Sequence, residues 1–313
     1  MPGIFDSLRL IDGPAIAERI TMRQAIDALQ QALRDGFDPD ADPARAIVDV
    51  RHGQLLLMPS DLGAYTGQKL ATVAPANPAR GLERIQAIYI VLDAETLAPV
   101  ALLDGTELTS LRTPAVSAAA VDVVAAPDAS SLVVFGTGPQ GVRHVEAMRA
   151  IRPIERVRFV GRDRAKAEHA ASLVTAIGLD VAVGSAADAA DAEIIVCATT
   201  AREPLFDAAL VRDHAAIVAV GSHEPDAREL PGELLGRARV IVESQRVALA
   251  EAGDVILAIA EGHLSLDELT TMAQLFGGDD PEASARPVVI KTCGMGWQDL
   301  AVAQLALTNE RNA

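Results

Sequence analysis

The run Ser131-Leu132-Val133-Val134-Phe135-Gly136-Thr137-Gly138-Pro139-Gln140-Gly141 feeds a β-branched and aromatic segment into three glycines spaced G-x-G-x-x-G, and a helical pattern follows. Gly136 permits a tight turn, Gly138 lets backbone approach a pyrophosphate, and Gly141 lets helix and strand pack closely. The helix start then offers unpaired N–H groups and the positive end of its dipole to the phosphates. The spacing alone is a weak signal. The strand before it and the helix after it make it a dinucleotide site. An acidic residue ending the next strand usually grips the ribose 2′-hydroxyl, but the chain here reads Phe159-Val160-Gly161-Arg162-Asp163-Arg164. Gly161 removes the side chain at the acidic place, and Arg162 follows with a guanidinium suited to a 2′-phosphate. NADP(H) is therefore favoured, with NAD(H), kept open by Asp163, as the alternative.

Two cations stand out upstream. Lys69 lies in Gly67-Gln68-Lys69-Leu70-Ala71-Thr72, an apolar strand pattern where a lysine is costly unless it finds an anion. The blander reading is an ammonium that snorkels to the surface. Arg112 ends Asp104-Gly105-Thr106-Glu107-Leu108-Thr109-Ser110-Leu111-Arg112-Thr113, just before what reads as a new helix capped by Thr113 with Pro114 at its first position. Its fork and those N–H groups could share one carboxylate. Tyr65 and Lys69 spell Y-x-x-x-K, but that catalytic pair requires a helix after the glycine loop, so it is rejected. His223 reads as an exposed loop histidine, and the histidines show no metal-ligand spacing.

The elements that must position these groups divide the chain. After the glycine loop, strand candidates 157–160, 181–183, 193–197, 216–220, 240–242 and 288–290 alternate with helical stretches at 164–177 and 185–190. That is a doubly wound Rossmann-type α/β domain with a parallel sheet covered on both faces. Before it, 20–37 reads as an amphipathic helix capped by Thr21. Strands are expected at 55–58, 66–73 and 86–92, the last pairing with 99–103 across a turn at 93–97. This is an α+β substrate and dimerisation domain. The expected boundaries are 1–124 and 125–297, with a final helix (298–313) returning to the first domain.

The 313 residues suffice for two cores, and with 3% aromatic content those cores must be built from Ala, Val, Leu and Ile. A net charge of −16 argues against nucleic acid or an anionic membrane as partner. No apolar run approaches the roughly 20 residues of a membrane span. The first residues show neither the basic nor the apolar region of a secretory signal. Cys197 and Cys293, far apart, read as buried structural thiols in a reducing cytosol. The expectation is a cytoplasmic protein.

Leu57-Met58-Pro59-Ser60, Gly67-Gln68-Lys69, Leu102–Thr113, Val134–Gln140, Cys197-Ala198-Thr199-Thr200, Val220-Gly221-Ser222 with Pro225-Asp226, and Glu243-Ser244 fall in order along the chain. Together they resemble the ornithine cyclodeaminase/μ-crystallin family over nearly the whole length. The resemblance implies a homodimer pairing through strands of the first domain, with substrate held against the nicotinamide. It implies a substrate carboxylate bound at Arg45, Lys69 and Arg112, and a catalytic acid at Asp226. Asp226 and Lys69 are the candidate catalytic groups, although Asp226 also reads as a cap for a helix at 227–235. The candidate cofactor contacts are Thr113, Gly136, Thr137, Gly138, Pro139, Gln140, Gly161, Arg162, Thr199, Val220, Gly221, Ser222 and Gly294.

Two departures from the family pattern narrow the reading. Cyclodeaminases carry a glutamate before Leu-Met-Pro that receives the substrate's distal ammonium, and here that place is Leu56. An apolar side chain cannot compensate a buried ammonium, so ornithine and lysine become poor substrates. The usual Lys-Ser-Val-Gly reads Lys291-Thr292-Cys293-Gly294. The expected activity is NAD(P)H-dependent reduction of a small cyclic imino acid of the Δ1-pyrroline-2-carboxylate or Δ1-piperideine-2-carboxylate type. The alternatives are alanine dehydrogenase-like or cyclodeaminase activity, or a non-catalytic NADPH-binding protein.

Overall fold

The computed structural model describes residues 3–174, 178–278 and 285–308. The chain forms two compact units, Met1–Thr113 with Gly294–Ala313, and Pro114–Cys293.

The first unit holds α1 (Ile4–Ser7), β1 (Arg9–Ile11), α2 (Gly13–Arg19), α3 (Met22–Arg34), β2 (Ala46–Val50), β3 (Gly53–Leu62), β4 (Tyr65–Val73), β5 (Ile85–Asp93) and β6 (Pro99–Asp104). The strands form one sheet in the order β1-β6-β5-β4-β3-β2, antiparallel except for β1 with β6. The period-2 alternation puts Met58, Ser60, Gly67, Lys69, Ala71, Tyr89, Val91, Ala101 and Leu103 on one buried face. The last helix of the chain, Gly296–Thr308, packs on β3, β4 and α3. In α3, Met22, Ala25, Ile26, Leu29 and Leu33 are buried at helical spacing, and Thr21 with Gln24 forms a capping box at its start.

The second unit holds β7 (Ser131–Phe135), α5 (Pro139–Ile151), β8 (Arg156–Val160), α6 (Arg164–Leu173), β9 (Asp180–Val183), β10 (Ile194–Cys197), β11 (Ala216–Ala219), α7 (Gly232–Arg237), β12 (Arg239–Val242), α8 (Gln245–Glu251), α9 (Gly253–Ala260), β13 (Leu269–Thr271), α10 (Met272–Phe276) and β14 (Val288–Lys291). All eight strands run parallel in the order β13-β12-β14-β11-β10-β7-β8-β9. The strand order reverses at β7, flanked by β8 on one side and β10 on the other, and such a switch point is where open α/β sheets bind ligands. The continuous apolar strands β7, β10, β11 and β12 are buried along their whole length, as coverage of both faces requires.

The structure corrects four expectations. Residues 105–124 form one helix, α4 (Gly105–Val124), with Pro114 inside it and not at the start of a second helix. Pro114 costs one backbone hydrogen bond there. Burial of Leu108, Leu111, Ala115, Val116 and Ala118–Val121 carries the helix through. α4 thus spans the division between the compact units at 113/114. The stretch 185–190 is a 3-10 turn at Ala186–Asp191, and α6 stops at Leu173, with 175–177 outside the described residues. Cys293 is only half-buried, whereas Cys197 is buried.

Candidate functional site

In the first unit the last helix, α11 (Gly296–Thr308), places a carboxylate between the two cations singled out in the sequence. Asp299 Oδ2 lies 2.7 Å from Lys69 Nζ, and Asp299 Oδ1 lies 3.3 Å from Arg112 Nε. Arg112 Nη1 donates to Gln298 Oε1 at 2.8 Å, and Lys69 Nζ donates to Thr109 Oγ1 at 3.4 Å. Lys69 is 2% exposed, so it does not snorkel to the surface. Burial and the neighbouring Arg112 push its ammonium down to about 8, and Arg45 adds to that push. Asp299 opposes them by charge and hydrogen bond. Arg45, half-buried, thus shares one electrostatic neighbourhood with Lys69 and Arg112. Gly294 sits against this arginine, since a Cβ there would come 2.9 Å from Arg112 Nη1.

Met58 and Tyr89 stand opposite Lys69 on β3 and β5, and Leu56 stands opposite Ala71 one step along the same face. Leu56 is therefore a diagonal neighbour of Lys69. A side chain at position 67 would strike the Tyr89 hydroxyl at 2.0 Å, so only glycine leaves room for it there. Burial and the Asp299 and Asp42 charges hold the Tyr89 phenol well above its usual range. Asp42 accepts from Ser60 Oγ at 2.8 Å and from the Trp297 N–H at 3.2 Å, fixing the start of α11.

In the second unit the glycine loop has the geometry its spacing implies. Gly136 has φ of +124°, and a Cβ there would meet the Ala198 carbonyl at 2.3 Å. A Cβ at Gly141 would meet the Gly136 carbonyl at 2.3 Å. Gly138 caps α5 with no side-chain hydrogen bond, Pro139 opens the helix, and no atom lies within 4 Å of where a Cβ at 138 would stand. Gln140 Oε1 is buried without a hydrogen-bond partner. An open helix N-terminus and an open backbone approach fit a pyrophosphate, whereas Gln140 Oε1, an acceptor, suits a hydroxyl donor of the ligand. Thr137, half-buried, packs against Gly161, where a Cβ would come 2.6 Å from its methyl group. Arg162 is exposed beyond β8, and Asp163 accepts from the Lys166 N–H at 3.2 Å as the cap of α6.

The loops after β10 and β11 are stapled by a residue that sequence reasoning missed. Buried Glu229 accepts from Thr199 N and Oγ1 through Oε1, both at 2.7 Å, and from Gly221 N through Oε2 at 2.7 Å. Its own N–H, and that of Leu230, donate to Asp254 Oδ1 at 2.7 and 2.9 Å. Lys291 completes the network, 3.2 Å from Asp254 Oδ2 and donating to the Ala219 and Ser222 carbonyls. Burial raises Glu229 above the usual carboxylate range, against the pull of Lys291. Val220 lies in this strand end, its N–H donating to the Cys197 carbonyl at 2.9 Å.

Asp226 lies in the loop after β11, its side chain 77% exposed and 2.6 Å from Arg202 Nη2. It caps no helix, because the next one begins at Gly232 behind Pro231. Thr113 is half-buried within α4, and His223 is exposed. Asp299 carried one usable signal, a lone acid in an apolar segment, which demands a buried cation or donor set, whereas Glu229 stands in a run with Glu224, Asp226 and Arg228 and gave none.

Residues 12–312 match the sequence profile of the ornithine cyclodeaminase/mu-crystallin family. A Delta(1)-pyrroline-2-carboxylate reductase of Bacillus cereus is 34% identical over 258 residues, 80% of this chain and 79% of that protein. The solved structure of Thermococcus litoralis Delta(1)-pyrroline-2-carboxylate reductase, in complex with NADH and L-proline, superposes with a TM-score of 0.89 at 26% identity. It covers 96% of this chain and 97% of that one. An archaeal alanine dehydrogenase dimer with bound NAD gives a TM-score of 0.89 at 27% identity, covering 96% and 95%.

Proposed function

The chain belongs to the ornithine cyclodeaminase/mu-crystallin family, and from that premise we propose that it is an NAD(P)H-dependent reductase of a small cyclic imino acid. Δ1-Pyrroline-2-carboxylate and its six-membered homologue are the substrates that suit it best. One observation carries this reading: a buried cation cluster with an apolar residue, Leu56, as its diagonal neighbour. Cations of this kind neutralise a carboxylate and fix its orientation. Leu56 accepts a ring methylene and offers nothing to a distal ammonium.

A reduced nicotinamide held by these residues would supply the hydride that turns the protonated C=N into a secondary amine beside the carboxylate. In this reading Arg112, Lys69 and Arg45 hold the carboxylate. An exposed, ion-paired Asp226 suits the part of electrostatic stabiliser of the iminium. A proton donor would require burial. Thr113, Gly136, Thr137, Gly138, Pro139, Gln140, Thr199, Val220, Gly221, Ser222 and Gly294 are assigned to the dinucleotide.

NADP(H) is the preferred form. Asp163 is occupied as a helix cap, Arg164 pairs with Glu168 at 2.8 Å, and Arg162 is the exposed guanidinium at the strand end. A homodimer suits the other face of the first unit's sheet, where Leu10, Val48 and Ile88 are exposed with Leu57 and Leu70 between the last two. Two free thiols suit a reducing cytoplasm. Among the described residues no helix is long and apolar enough to cross a membrane.

Alanine dehydrogenase activity is the second reading, favoured by the 0.89 TM-score to a protein of that name and by the tolerance of Leu56 for a methyl group. A panel of five- and six-membered cyclic imino acids, pyruvate with ammonia, and ornithine, followed by NADPH absorbance, separates them. Turnover confined to pyruvate with ammonia would replace the first reading by the second.

A further inference from the structure

We propose that Asp299 is the positioning residue of the anion site: its single carboxylate spans Lys69 and Arg112, fixing both cations while leaving the cluster a surplus of positive charge for the substrate's carboxylate. This rests on the reductase reading above. The geometry is specific. The two oxygens of Asp299 serve different cations, Oδ2 the ammonium and Oδ1 the Nε edge of the guanidinium. Gln298, the preceding residue of α11, takes Arg112 Nη1, so one helical turn fixes the guanidinium at two points.

All three ionic groups are buried, at 2% exposure for Lys69, 5% for Arg112 and 0% for Asp299. Well-packed apolar residues in place of such a cluster are often as stable or more so, because burying charge is costly. Stability alone therefore does not explain it. The charge is also unbalanced. Two cations, Lys69 and Arg112, share one directly bonded carboxylate. A second carboxylate, the substrate's, completes the count.

The groups around Lys69 come from every element packed on it. Met58 of β3 and Tyr89 of β5 flank it in the sheet. Thr109 and Arg112 face it from α4, Asp299 faces it from α11, and Arg45 adds its charge from the chain before β2. Asp42 bears on the neighbouring Tyr89. Of the influences resolved on the ammonium, only those of Asp299 favour the protonated form, whereas burial, Arg112 and Arg45 oppose it. Loss of the Asp299 charge therefore sends Lys69 below its present value of about 8, and an uncharged Lys69 holds a carboxylate poorly.

The chain has only three lysines, Lys69, Lys166 and Lys291, so protein labelled with ¹³C at lysine Cε gives three signals to follow against pH. Lys166→Arg and Lys69→Arg each remove one of them, which assigns the set. In the unmodified protein the Lys69 signal should titrate near pH 8. In Asp299→Asn it should titrate at least about one unit lower. KM for the cyclic imino acid should rise about tenfold or more at pH 7.5 and recover as pH falls toward 6, with NADPH affinity unchanged. Asp299→Glu keeps the charge but displaces it, so Lys69 should titrate near its original value while KM still rises. That variant carries the test if Asp299→Asn does not fold.

An unmoved Lys69 titration in Asp299→Asn, or an unchanged KM in Asp299→Glu, would overturn the proposal. If the unmodified protein reduces no imino acid, the reductase reading fails. The Lys69 titrations then still judge Asp299 on their own.

Discussion

Ser117 Oγ and His144 Nε2 stand 3.0 Å apart with both side chains fully buried. The other ring nitrogen, Nδ1, lies 2.7 Å from the Gln140 carbonyl, so Nδ1 carries the hydrogen and Nε2 accepts from the serine hydroxyl. The glycine loop is thereby tied to α4 through a neutral histidine. Burial holds His144 down to about 4, against an ordinary value of 6.5. The folded-state value lies below the unfolded one, so its stabilising contribution is fully present above pH 6.5 and is lost as pH falls through 4. The loss from this residue amounts to about 3 kcal/mol. Denaturation midpoints between pH 4 and 7 should show a shallower acid slope in His144→Gln than in the unmodified protein. Equal slopes would show that His144 is not the group being charged.

Glu229 makes a prediction about cofactor affinity. Glu229→Gln keeps the shape but gives up the charge that binds three donors of Thr199 and Gly221. Charge-assisted hydrogen bonds contribute about 1.5–3 kcal/mol each. Loosening of both loops should weaken NADPH binding at least about tenfold by fluorescence titration. An unchanged dissociation constant would mean that the staple holds the sheet and not the cofactor.

Arg162 reads the cofactor's phosphate in this account. Arg162→Ala should lose about 1.5–3 kcal/mol of NADPH affinity and leave NADH affinity intact. Equal losses for both would remove it from phosphate recognition.

Arg112→Ala or Lys69→Ala should lower kcat/KM for the imino acid by orders of magnitude, because each removes a buried cation proposed to hold the substrate carboxylate. Dinucleotide affinity should hold. Ordinary turnover in both variants would discard the anion site.

The doubly wound half was legible because its strands are continuous apolar runs and its glycine spacing stands between a strand and a helix, a setting that calls for the close backbone approach Gly136 and Gly141 show at 2.3 Å. The short edge strands β1, β2 and β13 were not legible. Three to five residues carry too little periodicity, and β2 is exposed along its length. Pro114 misled because local chemistry favours a helix start, whereas burial on both sides of it favours continuity. Lys69 and Arg112 were identifiable as costly cations. Their shared partner was not, because Asp299 lies some 190 to 230 positions away and only the fold brings it back.

The central claim concerns what the cation cluster and Leu56 accept. A cyclic imino acid meets Leu56 without penalty, whereas ornithine must bury an unpaired ammonium there, at a cost of several kcal/mol. Leu56→Glu should improve ornithine binding and impair imine reduction. The most direct measurement compares, in the unmodified protein, kcat/KM for NADPH-dependent reduction of Δ1-pyrroline-2-carboxylate with the rate of ammonia release from L-ornithine. The account predicts efficient reduction and ammonia release slower by orders of magnitude. Efficient ammonia release from ornithine, with poor reduction of the cyclic imine, would contradict it.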